Sequence, residues 1–71
     1  MAKPKLIPDS LEIGQALVRV GMSIRELSVA MRMPMHETTN IVQSRVAPTA
    51  YQKVAMLGEI EAYRLKNERR Q

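Results

Sequence analysis

Few side chains in this 71-residue chain could do covalent chemistry. It has no cysteine and a single histidine, His36, which excludes disulfides, thiolate ligands and a histidine-based metal cluster. No nucleophile beside a base, no carboxylate pair and no glycine-rich phosphate loop can be read in it, so an enzyme is the weakest reading and no metal or other cofactor is expected. What remains is recognition by contact. Met35, His36, Glu37, Thr39, Asn40 and Gln43 are interleaved with Thr38, Ile41 and Val42 at helical spacing. A helix that buries the second set presents the first, and an exposed face of short polar side chains suits base edges.

Such a face needs elements that fix it, and the flanking residues supply them. Ser23 with Glu26 three residues on is a capping box that opens a helix over about 23–32, with Leu27 and Met31 as its apolar stripe. Met33-Pro34 interrupts that helix, because proline lacks an N–H and pushes the preceding residue toward extended backbone. Proline is also a good first residue, so a second helix is predicted over 34–43, followed by the loop Ser44 to Pro48. Two short helices with a tight turn between them are the outline of a helix-turn-helix.

The rest of the chain reads as support. Residues 1–8, with two prolines and two lysines, are expected to be a mobile arm. Asp9 and Glu12 form an Asp-x-x-Glu capping arrangement ahead of Leu11, Gly14, Leu17 and Val18, and Gly21 supplies a left-handed stop, which gives a first helix over about 10–20. Thr49 with Gln52 is a further capping box. It opens a helical region from Ala50 to about Glu68, either one long helix or two meeting at Gly58; one long, bent helix is favoured. No strand is expected, since β-branched residues occur singly and hairpin turn signals are missing. The fold class is therefore all-α: a compact four- to five-helix bundle with a central helix-turn-helix and a long C-terminal helix. Its core should draw on Leu11, Leu17, Val18, Leu27, Ala30, Met31, Met33, Ile41, Val42, Val54 and Leu57. Residues 9–63 form the domain and 64–71 a basic tail.

The net charge of +4 and pI near 10.0 suggest an acidic partner, but the charge sits at the ends. Lys3 and Lys5 lie in the arm, and Arg64, Lys66, Arg69 and Arg70 in the tail. Between residues 9 and 63 five cations stand against six acids, a net of −1. Binding of one copy to DNA would thus depend on a few placed phosphate contacts, and a second copy would double them. No apolar run is long enough to span a membrane and the N-terminus lacks a signal-peptide core, which implies a cytoplasmic protein with no membrane partner.

Residues 11–57 resemble the helix-turn-helix domain of the Xre type, the class of phage Cro proteins and repressors. The resemblance rests on Gly21-Met-Ser-Ile-Arg-Glu-Leu27, on Ser28 where the two helices cross, on Met31 and Met33, on the inward pair Thr38 and Ile41, and on Arg45-Val-Ala-Pro48. The sequence differs from the family pattern at two positions: Arg32 stands at the turn glycine and Ser44 at the glycine after the second of these helices. The resemblance implies that helix 34–43 docks in the major groove of double-stranded operator DNA, with Met35, His36, Thr39 and Asn40 toward base edges. Glu37 would read cytosine, repel wrong sequences or merely serve the helix dipole. Phosphate contacts are expected from Ser23, Arg25, Gln43, Ser44, Arg45, Thr49, Gln52 and Lys53, Arg45 foremost.

The last helix carries a second stripe, Met56, Ile60 and Tyr63, distinct from Val54 and Leu57. It is predicted to form a homodimer interface that sets two recognition helices one DNA turn apart; the alternative is that it folds back across its own domain. The sum is a dimeric transcription regulator, a repressor or autoregulator of phage or mobile-element type. Competing readings are a protein-interaction module, such as an antiactivator or antitoxin, and an excisionase-like architectural DNA-binding factor.

Overall fold

A computed structural model of the chain describes residues 6–68, and every described element is a helix: α1 (Pro8–Val20), α2 (Ile24–Met31), α3 (Met35–Val42) and α4 (Ala50–Glu68). The all-α expectation holds, with four helices, and α4 runs unbroken through Gly58. Most of the predicted arm and the last three residues of the tail lie outside the described residues. Pro8 belongs to α1 rather than to the arm, and α4 extends to Glu68 as expected, so residues 64–68 of the basic segment are helical.

The caps explain the boundaries. In α2 the Ser23 hydroxyl accepts from the Glu26 N–H, and the Glu26 carboxylate accepts from the Ser23 N–H, both at 3.0 Å. Thr49 and Gln52 do the same for α4 at 3.0 and 2.9 Å. The Asp9 and Glu12 cap does not form. Ile7 is the residue before α1, Pro8 opens the helix with φ already suited to it, and no side chain caps it. Asp9 and Glu12 instead both reach the Lys53 ammonium of α4, at 3.0 Å each.

The three short helices end alike. After α1 the Met22 N–H reaches the Leu17 carbonyl and Gly21 N–H the Val18 carbonyl; Met33 and Arg32 repeat this on Ser28 and Val29, and Arg45 and Ser44 on Asn40 and Ile41. This double bond pattern requires a left-handed residue at its centre. Gly21 has φ +73°, Arg32 φ +56° and Ser44 φ +63°. Both departures from the Xre pattern thus adopt the backbone that glycine would have supplied more easily.

The core is Ile13, Leu17, Met22, Leu27, Ile41, Met56 and Ile60, with Ala30, Met31, Met33, Val42, Leu57 and Tyr63 packed around it. Three predicted core residues are outside: Leu11 is 38% exposed, Val54 71% and Val18 83%. On α1 the cause is competition between two arcs. Ile13, Ala16, Leu17 and Val20 form a filled i, i+3, i+4, i+7 stripe, whereas the arc through Leu11 and Val18 has Gly14 at its middle and little volume to bury. On α4 the predicted dimer stripe is the core. Met56 is fully buried and Ile60 3% exposed, and Tyr63 packs against them, so these residues are not free to meet a second chain. Lys53 bridges to α1 from the flank of α4, in keeping with the roll that buries Met56 and Ile60. Ser10 is buried with its hydroxyl unpaired.

Two outcomes are expected in urea melts. Ile60→Ala should destabilise by about 2–5 kcal/mol through lost packing, while Val54→Ala stays within about 0.5 kcal/mol as a surface change; equal effects would mean that α4 is rolled differently. Arg32→Gly and Ser44→Gly should each raise the midpoint, by about 1 kcal/mol in stability, as left-handed strain is relieved. A fall at either site would show that its side chain does more than tolerate the turn.

Candidate nucleic-acid interface

The α3 surface is set by what α3 buries. Thr38 is fully buried and Ile41 3% exposed. The Thr38 hydroxyl donates to the Pro34 carbonyl at 3.3 Å, so a polar side chain enters the interior with its hydrogen bond made. Opposite it, buried Ser28 donates to the Ile24 carbonyl within α2 at 2.9 Å, and the two small hydroxyl residues occupy the inner faces of the helix pair. With Thr38 and Ile41 inward, Met35, His36, Thr39, Asn40 and Gln43 fall within an arc of roughly 140°, at 100° per residue. Met35, His36 and Gln43 are exposed, and Thr39 and Asn40 are half-buried at its base. All four predicted base-reading residues are therefore brought to one face. Glu37 is exposed at the far edge of it.

Backbone geometry reinforces that face. Pro34 precedes α3 and no side chain caps the helix. The Glu37 N–H donates to the Pro34 carbonyl at 3.1 Å, and the Met35 and His36 N–H groups ahead of it are left for water or an anion. At the other end the Asn40 carbonyl accepts from both Arg45 and Val46, at 2.8 and 3.2 Å, which ties the exit loop to the helix. Pro48 is buried and closes that loop against the body.

The predicted phosphate set divides. Arg25 and Arg45 are exposed and, with Arg32, make no ion pair among the described residues. Gln43 is exposed and Ser44 half-buried in its left-handed turn. Ser23, Thr49 and Gln52 spend a side-chain oxygen on their caps, and keep only their remaining donor capacity. Lys53 is a correction: Asp9 and Glu12 both hold it, so it is a strut between α1 and α4 rather than a phosphate contact. Asp9 and Glu12 carry the sequence signal for this strut, although their Asp-x-x-Glu spacing also fits a cap. In the former tail, Arg64 is likewise engaged by Glu61 and Glu68.

Ionisation follows these contacts. Hydrogen bonds from the Ser23 backbone and then its hydroxyl hold the Glu26 carboxyl below its ordinary 4.5, with a smaller contribution from Tyr63. The Arg64 guanidinium lowers Glu61 in the same sense. Glu12, then Asp9, raise Lys53 above its ordinary 10.5.

No known protein family, characterised protein or solved structure matches the chain.

A depressed carboxyl stabilises the fold above its unfolded value and loses that contribution as pH falls through the folded value. The midpoint of thermal unfolding should therefore drop on acidification below about pH 4.5. Glu26→Gln, which keeps an acceptor for the Ser23 N–H, should lessen that drop. A variant that titrates like the parent would remove Glu26 from the acid response. Lys53, with a raised value, acts oppositely: its contribution is complete below its unfolded value and is lost as pH rises through the folded one.

Proposed function

We propose that this protein is a sequence-specific, double-stranded-DNA-binding transcription regulator that lays α3 in the major groove. The observation that carries the reading is the α3 arc itself: Met35, His36, Thr39 and Asn40 stand on one face of a helix whose opposite face is locked by Thr38 and Ile41. Both turns flanking α3, at Arg32 and Ser44, are held in a strained left-handed form by paired backbone bonds. Rigid presentation of a short polar face is what direct base readout demands, since side chains must reach base edges with fixed geometry.

Asn40 is suited to a bidentate contact with adenine, His36 to a purine acceptor or donor, and the methyls of Thr39 and Met35 to thymine. Arg45 and Arg25, exposed at the exit of α3 and the start of α2, supply phosphate contacts, and Arg32 in the turn adds a third cation. With Lys53 withdrawn, one copy has few phosphate anchors, so occupancy of an operator depends on pairing with a second copy. Repression by operator occupancy, in the cytoplasm and on the scale of phage or mobile-element regulators, is the role that fits; no helix among the described residues is long and apolar enough to cross a membrane. The reading as a protein-interaction module through Met56, Ile60 and Tyr63 loses its surface, because the first two are buried in the chain's own core.

A gel-shift assay with the duplex upstream of the protein's own coding sequence tests this. Retardation should weaken steeply with salt. Arg45→Ala should reduce the logarithmic salt slope by about one per bound copy and weaken all sequences alike, whereas Asn40→Ala should cost about 1–3 kcal/mol on the specific site and little on random DNA. Absence of retardation at low salt would end the proposal.

A further inference from the structure

With Met56 and Ile60 inward, the opposite face of α4 has no partner among the described residues. Tyr51 is 79% exposed, Val54 71% and Leu65 49%, and Gly58 and Ala62 are exposed with them. Residues 51, 55, 58, 62 and 65 recur at alternating steps of four and three, the spacing of a two-helix seam. The seam is large at its ends, Tyr51 and Leu65, and small in its middle, Ala55, Gly58 and Ala62.

Gly58 is the second observation. Glycine in a helix interior is destabilising relative to alanine. Its φ is not in the left-handed region, and a Cβ built on it would meet nothing within 4 Å. Neither a turn nor a close approach within the chain requires it. The close approach of a second backbone would.

The charges select which backbone. One flank of the seam carries Glu61 and Glu68, and the other carries Glu59 and Lys66. In a parallel pair about a two-fold axis each flank meets the opposite flank of its mate, with residue i beside residue i+5. That register sets Glu61 beside the partner's Lys66 on both sides, whereas an antiparallel pair would turn the Glu61 and Glu68 flanks toward each other.

We propose that a second copy of this chain covers the face, α4 packing parallel on α4 through Tyr51, Ala55, Gly58, Ala62 and Leu65, with Val54 at the rim and Glu61, which also holds Arg64 of its own chain, beside the partner's Lys66. The inference deepens the DNA-binding reading by naming the surface that brings in the second α3. The seam is short beside the standard interface, so the dimer is concentration-dependent.

Sedimentation velocity on the full chain without DNA tests it, and its outcome is independent of whether α3 binds DNA. The parent should pass from one to two copies as concentration rises. Leu65→Glu and Ala62→Glu, at exposed positions, should remain single copies with unchanged helical circular dichroism. Glu61→Lys and Lys66→Glu should each weaken association by roughly tenfold, and the double reversal should restore it. A parent that stays a single copy throughout, a dimer indifferent to Leu65→Glu, or a double reversal as weak as its parts would each overturn the proposal.

Discussion

The fold depends on α4 closing the core. Helices α1 to α3 bring Ile13, Leu17, Met22, Leu27 and Ile41 to a common side, and Met56 and Ile60 seal that side. Each such side chain is worth roughly 1.5–3 kcal/mol when taken out of water. A domain of this size has a net stability of about 5–15 kcal/mol at most, so it cannot lend those residues to another molecule. Once α4 is committed inward, its Tyr51, Val54 and Leu65 side is left over, while α3 is held by α1 and α2 with Ile41 in the core and its polar arc turned out. The Lys53 bridge to Asp9 and Glu12 lies at the surface and adds little energy to this roll of the helix, which burial of Met56 and Ile60 sets.

The second constraint is in the turns. Short helices have few internal hydrogen bonds and depend on their ends. Here three of them stop on the same backbone motif, and two of the three stops use Arg32 and Ser44 where glycine would be easier. Strain of this kind persists only where the surroundings determine the backbone. Buried Ser28 and Thr38 provide that determination, since each fixes a helix face while returning its hydroxyl to the carbonyl four residues back. The consequence is that α3 is bounded on both sides by turns of defined backbone.

Local signals proved legible in the sequence and global ones less so. The capping boxes at Ser23 and Thr49, the stop at Gly21, the break at Pro34 and the inward Thr38 and Ile41 were all readable, because each depends on residues within four positions. The rolls of α1 and α4 were not. Each of those helices has two apolar arcs, and periodicity alone does not rank them; volume does, through Ile13 against Gly14 and Met56 with Ile60 against Val54. Asp9 and Glu12 were misread for a related reason, as their spacing satisfies a local cap while their real partner lies 41 or more positions away at Lys53. The side chains expected on the outer face of α3 are therefore on one face, whereas the stripe expected to pair copies is turned into the core.

The central claim is that α3 and its flanking turns are where this protein meets DNA. Amide chemical-shift mapping by NMR, on the labelled full chain titrated at low salt with the duplex flanking its coding sequence, addresses it most directly. The account predicts perturbations concentrated at residues 35, 36, 39, 40 and 43–45, with weaker ones at 23–25 and 32. Perturbations confined to other surfaces, or a spectrum unchanged by DNA, would contradict it.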